Sequence, residues 1–204
     1  FGVQTGPVSV AFARVMARKD EIVRRFRSGV EKRLQDNANV TIVRAEGRFE
    51  GPHRVRAGDH VLEAERIYIN TGARAAAPPI PGLEEVPYLT NTTILDLTAL
   101  PDHLVIIGGG YIGLEYAQAF RRFGSEVTIV ERGPQIMGRE DRDIAEEALK
   151  ILGGEGIRVL LGAETQRVAR RANGIEIAVW HDGASETIAG SHLLVAAGRR
   201  PNSD

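Results

Sequence analysis

The feature of this sequence that most constrains its fold is a glycine-rich turn between an apolar run and a helical segment. Residues 104–107 are all apolar, and the turn Gly-Gly-Gly-Tyr-Ile-Gly occupies residues 108–113. Residues 111–123 have the pattern of a helix, and residues 126–131 form a second β-branched run. A buried strand, a tight turn, a helix and a second strand make the first unit of a parallel sheet. The sequence therefore predicts a Rossmann-like α/β domain.

The spacing of three glycines in this turn indicates a nucleotide-binding function. Gly108, Gly110 and Gly113 fit the pattern G-x-G-x-x-G, and Glu131 lies 21 positions after Gly110 at the end of the second run. In such a turn the first glycine permits the bend, the second lets the backbone approach a pyrophosphate, and the third lets the helix pack on the strand. Free N–H groups at the helix start attract the phosphates, and Glu131 can accept hydrogen bonds from ribose hydroxyls. We expect the ADP half of a nicotinamide dinucleotide to bind here.

The first half of the chain has a different pattern. Apolar residues recur at three- and four-residue steps from Ser9 to Leu34, which predicts one long amphipathic helix or two helices meeting near Asp20. Short β-branched runs at residues 40–43, 53–56 and 67–69 predict a small antiparallel sheet. Prolines within residues 78–82 mark a connection. We therefore expect two domains, comprising residues 1–98 and 99–204.

The end of the chain completes the predicted second domain. A helix is expected from about Asp141 to Leu152, and a third strand from Ile157 to Leu161. Residues 165–197 alternate as hairpin strands, with Asp182-Gly183 as one turn. This pattern predicts a three-layer domain with a parallel sheet and a β-meander.

Composition excludes several classes of function. The net charge of -1 and the hydrophobic fraction of 43% give no bias toward nucleic acid or membrane, and no signal or membrane-spanning run is present, so we expect a cytoplasmic protein. The chain contains no cysteine, which excludes thiol redox chemistry by these residues. The histidines show no metal-ligand spacing. We therefore assign neither catalytic nor metal-binding residues.

Three segments resemble the pyridine nucleotide-disulfide oxidoreductases, the flavoprotein family that includes dihydrolipoamide dehydrogenase and mercuric reductase. They are Asn-Thr-Gly-Ala at 70–73, Val-Ile-Ile-Gly-Gly-Gly-Tyr-Ile-Gly-Leu-Glu at 105–115, and Val-Ala-Ala-Gly-Arg-Arg-Pro-Asn at 195–202. The resemblance covers essentially the whole chain and is greatest to the mercuric reductase and dihydrolipoamide dehydrogenase branch. It implies that residues 1–98 are part of an FAD-binding domain and that residues 99–204 bind the nicotinamide dinucleotide.

The resemblance also implies roles for individual residues. Within the turn, it assigns the dinucleotide to Gly108, Gly109, Gly110, Tyr111, Ile112 and Gly113. Tyr111 would gate the nicotinamide pocket, Glu115 would approach the nicotinamide carboxamide, and Gly198 would approach the dinucleotide from the last strand. From the residues alone, Glu115 has the alternative of simply stabilising the start of its helix.

The remaining expectations concern the identity of the cofactors. Glu131 favours NAD(H), whereas Arg132 could neutralise the 2′-phosphate of NADP(H), so we expect NAD(H) as the preferred nucleotide. The resemblance places Gly47, Thr71 and Gly72 along the flavin, although Gly47 has the alternative of a simple turn glycine.

Features of the family that this sequence lacks suggest a fragment. The family's first flavin-binding glycine motif, its C-x-x-x-x-C pair and its carboxy-terminal H-P-T-x-x-E segment are all missing. The intact parent would be a homodimer, and this chain lacks the dimerisation domain. The expected parent passes electrons from NADH through FAD to a disulfide, metal ion or similar acceptor. Two alternatives stay open: a non-disulfide flavoprotein of the NADH oxidase or ferredoxin reductase type, and a stand-alone NAD-binding module without catalysis.

Overall fold

The computed structural model describes Gly6 and residues 8–203, so the outermost residues of the two predicted domains lie outside the described part. The chain forms two compact units. The larger unit comprises residues up to Met16 together with Ala73–Asn202, and the smaller unit comprises Ala17–Gly72. The assignment of a flavin domain to residues 1–98 and a nicotinamide domain to residues 99–204 stays a prediction, because the compactness of a unit does not identify its ligand.

A five-stranded parallel sheet forms the centre of the larger unit, in the order β5-β12-β6-β7-β8. Its strands are β5 (Tyr88–Leu89), β6 (His103–Ile107), β7 (Glu126–Val130), β8 (Arg158–Leu160) and β12 (His192–Val195). Helix α2 (Tyr111–Phe123) connects β6 to β7, and helix α3 (Arg142–Gly154) connects β7 to β8. The predicted βαβαβ arrangement is confirmed.

The two faces of this sheet are covered by different elements, which gives three layers. Side chains of Leu104 and Ile106 pack toward α2 and α3, whereas Val105 and Ile107 pack toward an antiparallel meander. The alternation follows from the two-residue period of a strand that is buried on both faces. The meander has the order β11-β10-β9, with strands β9 (Glu164–Arg171), β10 (Gly174–His181) and β11 (Ala184–Gly190). The predicted three-layer α/β fold is therefore confirmed.

Within this unit, one feature of the predicted strand pattern is confirmed and another is corrected. The hairpin turn at Asp182-Gly183 is present, with positive φ at both residues. The last predicted hairpin strand is wrong, because His192–Val195 enters the parallel sheet between β5 and β6. Leu193, Leu194 and Val195 are all buried, and a continuous apolar run is typical of a strand covered on both faces. A two-stranded antiparallel pair of β4 (Ala73–Ala75) and β13 (Arg199–Pro201) completes the unit.

The smaller unit contains a helix and a three-stranded antiparallel sheet. A single helix, α1 (Phe12–Gln35), replaces the alternative of two helices, and its residues from Ala17 onward belong to this unit. The sheet has the order β1-β2-β3, with strands β1 (Gly47–Gly51), β2 (Arg54–Ala57) and β3 (His60–Glu63). Short connections at 52–53 and 58–59 join the strands, so their backbone hydrogen bonds form between neighbours in the sequence.

The sheet of the smaller unit is confirmed, but two of its predicted strands are wrong. Residues 40–43 are β-branched and residues 67–69 are Ile-Tyr-Ile, yet neither segment is a strand. A β-branched run becomes a strand only where a partner supplies backbone hydrogen bonds, and the hairpins of residues 47–63 leave these two runs outside the sheet. Across Gly6 and residues 8–203, no helix is long and apolar enough to cross a membrane.

Candidate functional site

The candidate site lies at the carboxyl edge of the parallel sheet, where three strands end together. Ile107 of β6 is in register with Val130 of β7 and with Val195 of β12. From β6 the chain continues through α2 to β7, which lies on one side of β6 in the sheet. Strand β12 lies on the other side of β6. Such a change of direction is a topological switch point, where ligands bind in open α/β sheets.

Gly108 makes the turn that leaves β6. Its φ is 111°, a value that L side chains rarely adopt. A Cβ at this position would lie 2.6 Å from the carbonyl oxygen of Ala196, which follows β12. Glycine is therefore required both by the backbone conformation and by the close approach of the chain after β12.

Gly110 and Gly113 differ in what surrounds them at the start of α2. A Cβ at Gly113 would lie 2.2 Å from the carbonyl oxygen of Gly108, so the helix can pack against the turn only without a side chain there. A Cβ at Gly110, the residue before the helix, would meet no atom within 4 Å. The first-turn N–H groups of a helix lack partners within the helix and carry its positive dipole end. The turn thus offers open space for an anion at Gly110.

The carboxylate of Glu131 is bound directly to the glycine turn. The Gly109 N–H donates to Oε2 over 2.6 Å, and the Gly133 N–H donates to Oε1 over 2.6 Å. Charge-assisted hydrogen bonds of this kind fix the position of a carboxylate. Each oxygen of a carboxylate can accept two hydrogen bonds, so one direction on each oxygen is left for further donors.

A loop over residues 132–141 follows Glu131 and is anchored to the same turn. The Met137 N–H donates to the Gly109 carbonyl over 2.8 Å, and Ile136 is only 1% exposed. Arg132 is exposed at the start of the loop. At its end, the Tyr111 hydroxyl donates a hydrogen bond to the Glu140 carboxylate. That hydrogen bond raises the pKa of the Tyr111 phenol above its usual value of 10.0, and partial burial and the negative charge of Glu140 add to the shift.

The structure brings together most, but not all, of the predicted site residues. The six residues of the turn, Gly108, Gly109, Gly110, Tyr111, Ile112 and Gly113, lie at one edge with Glu131 and Arg132. Glu115 is exposed on α2, and Gly198 follows β12 with open space at the position of a Cβ. Gly47, Thr71 and Gly72 are exposed residues of the smaller unit. The roles of all these residues in binding stay predictions.

Sequence reasoning missed the residues that hold Glu131 and Tyr111 in place. Gly133 supplies one of the two N–H groups to the Glu131 carboxylate, and Glu140 accepts from Tyr111. Gly109 was assigned to the turn, but its N–H binds Glu131 and its carbonyl accepts from the loop. A glycine two positions after the acidic residue was the only available signal, and it is weak in a chain with 23 glycines.

Polar side chains at the opposite edge of the sheet have a structural role. The Ser191 hydroxyl donates to the His103 carbonyl over 3.0 Å and accepts from the His103 N–H over 3.1 Å, so it links the starts of β6 and β12. His192 lies beside it, and burial lowers the pKa of its imidazole below 6.5. Within Gly6 and residues 8–203, no group of three or more His, Cys, Asp or Glu side chains is arranged to hold a metal ion.

A parallel sheet with a glycine turn at its switch point and a carboxylate after the second strand is the arrangement of a Rossmann-type α/β fold. The chain matches the family described as pyridine nucleotide-disulphide oxidoreductase over residues 3–204. It therefore belongs to this family, whose members are FAD-dependent oxidoreductases that use FAD and NAD(P)H and often act as homodimers.

Two relatives illustrate which proteins this chain is similar to. The chain is 36% identical over 203 residues to a mercuric reductase of Lysinibacillus sphaericus, and this match covers 100% of the chain and 37% of that protein. It is 37% identical to the probable pyridine nucleotide-disulfide oxidoreductase RclA of Escherichia coli K12, covering 93% of the chain and 43% of that protein.

A solved structure extends the likeness to three dimensions. The structure of the HOCl-induced flavoprotein disulfide reductase RclA from Escherichia coli, as its Cu(II) complex, matches with a TM-score of 0.86 and 37% identity. The match covers 96% of this chain and 44% of that one. The chain therefore spans less than half the length of the relatives it matches.

Proposed function

We propose that this chain is the nicotinamide-dinucleotide-binding portion of an FAD-dependent oxidoreductase that passes electrons from NADH through FAD to a disulfide, metal ion or similar acceptor. The observation that carries the proposal is the Glu131 carboxylate, which two backbone N–H groups hold beside the glycine turn. Open space at Gly110 next to the start of α2 supports the phosphate-binding part of the proposal.

In this proposal the groups of the turn have separate tasks. The first-turn N–H groups of α2 hold the pyrophosphate, and Glu131 accepts hydrogen bonds from the adenosine ribose. Tyr111, Glu115 and Gly198 lie toward the nicotinamide end. When bound, the reduced nicotinamide supplies a hydride equivalent, and this chain's residues contribute binding and orientation. The chain contains no cysteine, so none of its own residues would serve as a redox thiol.

The residues that the resemblance assigns to the flavin lie in the smaller unit. Gly47, Thr71 and Gly72 are exposed, and Ala57 is the one buried residue between Ala17 and Gly72. A flavin site encloses most of its ligand, and the residues of this unit alone do not form such an enclosure. We propose that Ala17–Gly72 contributes part of an FAD-binding domain.

The nucleotide preference proposed here is NAD(H) over NADP(H). A ribose diol can donate to both oxygens of Glu131, whereas a 2′-phosphate removes one donor and places negative charge beside the carboxylate. Arg132 opposes this preference because its guanidinium could pair with a 2′-phosphate. Arg132 is exposed after the strand, so its guanidinium is hydrated in the free protein. Solvent therefore weakens its attraction for a 2′-phosphate.

Replacement of Glu131 by alanine tests the function. We expect Glu131→Ala to weaken NADH binding by roughly 10- to 100-fold, equivalent to about 1.4–2.8 kcal/mol, and to weaken NADPH binding much less, by no more than the loss of the Gly109 and Gly133 contacts costs the turn that both nucleotides share. Isothermal titration calorimetry with both nucleotides measures this difference. The matched control is Glu126→Ala, since Glu126 is an exposed carboxylate at the other end of the same strand.

Two results would contradict different parts of the proposal. If the folded wild-type protein binds neither nucleotide, the proposed function is wrong. If the wild type binds NADPH more tightly than NADH, dinucleotide binding stands and the preference for NAD(H) is wrong.

A further inference from the structure

Met137 has a backbone conformation that the local sequence does not predict. Its φ is 48°, in the left-handed region that L side chains rarely adopt. The next residue is Gly138, which could adopt such a φ without steric cost. The φ of Gly138 is nevertheless not positive, and a Cβ there would meet no atom within 4 Å. Contacts made by Met137 therefore place the left-handed residue one position before the glycine.

Met137 makes three contacts at once. Its N–H donates to the Gly109 carbonyl over 2.8 Å, and its carbonyl accepts from the Glu140 N–H over 2.8 Å. Its side chain packs against the hydrophobic core that contains Ile136. Because φ is the rotation about the N–Cα bond, a change of φ moves the N–H relative to both the side chain and the carbonyl. The left-handed φ is thus the conformation in which all three contacts coexist.

The hydrogen bond from Met137 fixes the orientation of the peptide between Gly109 and Gly110. Among the described residues no peptide bond is cis. In a trans peptide the carbonyl and the N–H point in opposite directions. Since the Gly109 carbonyl points at the loop over residues 132–141, the Gly110 N–H points away from this loop. Within the part of the chain that the structure describes, this N–H has no hydrogen-bond partner, so it is available to a ligand.

The preceding peptide of the turn is also held in place. The Gly109 N–H donates to Oε2 of Glu131 over 2.6 Å. A Cβ at Gly109 would lie 3.0 Å from Cγ2 of Ile136 and 3.1 Å from Oε2 of Glu131, so this residue is enclosed as well as hydrogen-bonded. Both peptides are therefore fixed before a ligand arrives. A donor that is already oriented binds an anion without the cost of reordering.

We propose that Met137 is a positioning residue, whose left-handed backbone orients the Gly109–Gly110 peptide so that the Gly110 N–H faces the pyrophosphate of a bound dinucleotide. The inference rests on the proposed function, because it concerns the phosphate-binding part of the same site. Met137 acts through the backbone of Gly109 and does not contact the nucleotide. Its role is separate from that of Glu131, which is directed at the ribose.

Two substitutions of Met137 separate its backbone conformation from its side chain. Met137→Gly adopts a positive φ freely and keeps the N–H, but it removes the side chain. Met137→Val keeps an apolar side chain, but a β-branched residue resists this φ. We expect Met137→Gly to bind NADH within about twofold of wild type, and Met137→Val to bind it about three- to tenfold more weakly, the effect of one lost hydrogen bond. A role of the side chain alone predicts the opposite order.

A comparison of NADH with NADPH separates Met137 from Glu131. Both nucleotides carry the same pyrophosphate, so Met137→Val should weaken both by the same factor and leave the ratio of their dissociation constants unchanged. Isothermal titration calorimetry measures both constants, and urea unfolding shows that each variant is folded under the conditions of the titration. The matched control is Met16→Val, because the chain's other methionine packs against the same core and lies in α1. This control should leave both affinities unchanged.

Each result supports the proposal or overturns it. Weaker binding of both nucleotides by Met137→Val, with near wild-type binding by Met137→Gly, supports it. Unchanged binding by Met137→Val overturns it, and so does a loss in Met137→Gly that equals or exceeds the loss in Met137→Val. If Met137→Val does not fold, Met137→Ala replaces it, because alanine also disfavours a positive φ and differs from glycine by one methyl group.

The nucleotide comparison gives two further outcomes. If Met137→Val weakens NADH alone, Met137 acts through Glu131 and the proposed orientation of the Gly110 N–H is wrong. If the wild type binds neither nucleotide, the proposed function is wrong, and the positioning role of Met137 is wrong with it.

Discussion

The two units of this protein differ most in what they bury. In the larger unit, side chains from both faces of the parallel sheet are excluded from solvent, and Leu104, Ile106, Ile129, Leu193 and Leu194 are all 0% exposed. In the smaller unit, Ala57 is the one buried residue between Ala17 and Gly72. Its large apolar side chains are exposed instead: Ile22, Val23, Phe26, Val30, Leu34, Val40, Ile42, Phe49, Val61, Leu62, Tyr68 and Ile69.

The comparison shows that a segment can form regular secondary structure without contributing side chains to a hydrophobic core. Helix α1 and the hairpins of the smaller unit satisfy their backbone hydrogen bonds locally, so they form without burying much apolar surface. Single exposed apolar side chains are common on protein surfaces, and only a contiguous patch of them marks a contact. The chain spans 37–44% of the length of the relatives reported above, so a protein of their length has further residues that could cover apolar side chains left exposed here.

The largest expected effect is a difference in the loss of stability when the same substitution, Leu to Ala, is made in each of the two units. Leu194 is fully buried in β12, whereas Leu34 is 44% exposed in α1. Leu194→Ala should destabilise the larger unit by about 2–5 kcal/mol, because it removes buried methyl groups and leaves a cavity. Leu34→Ala should change stability by less than about 0.5 kcal/mol. Urea unfolding curves measure both, and equal losses would contradict the contrast in burial.

A second prediction concerns the cofactors of the two units. Protein made from these 204 residues should purify without stoichiometric flavin and bind added FAD at least about tenfold more weakly than NADH, because Ala17–Gly72 does not enclose a ligand. The absorbance spectrum of the purified protein and calorimetry with FAD test this. A stoichiometric flavin spectrum in the folded protein would show that the smaller unit is already sufficient for flavin binding.

The smallest expected effect is a pH dependence of the larger unit. Burial lowers the pKa of His192 below 6.5, and the nearby charge of Asp102 opposes the shift only in part. The unfolded chain therefore binds more protons than the folded protein just below pH 6.5, and stability falls as the pH drops from 6.5 to the folded pKa. The loss should stay below about 1 kcal/mol, because solvent screens a half-buried group.

Unfolding experiments at several pH values detect this effect as a slope that His192→Gln removes. Measurements above pH ~7.5, where an imidazole of pKa 6.5 or lower is neutral in both states, provide the internal control. A wild-type stability that rises as the pH falls from 6.5 would show that the imidazole is stabilised in its charged form.

Much of the larger unit could be predicted because its signals are local. The apolar run of β6, the positive φ required at Gly108 and the helical pattern of α2 each follow from neighbouring residues. The predicted helix over 111–123 has the observed bounds. Asp182-Gly183 likewise specified its hairpin turn, because both residues tolerate positive φ.

Other features depended on residues far apart in the chain. The parallel placement of β12 beside β6, and the failure of residues 40–43 and 67–69 to form strands, were decided by which partner strands are within reach. A β-branched run specifies an extended backbone but not its neighbour, because backbone hydrogen bonds between strands are nearly independent of sequence.

In the candidate site, too, some features follow from the local sequence and others depend on the tertiary structure. By itself, the sequence determined that Glu131 lies at the carboxyl end of the second strand, where it directly follows Val130, and that a helix starts right after Gly110, because spacing along the chain fixes positions along strands and helices. Only the tertiary structure decided that Gly109 and Gly133 bind the two oxygens of Glu131 and that Glu140 holds Tyr111. These contacts depend on how the loop after β7 folds back onto the turn after β6. Local periodicity does not encode that path, because it is selected by the burial of Ile136 and the closure of backbone hydrogen bonds across the sheet edge.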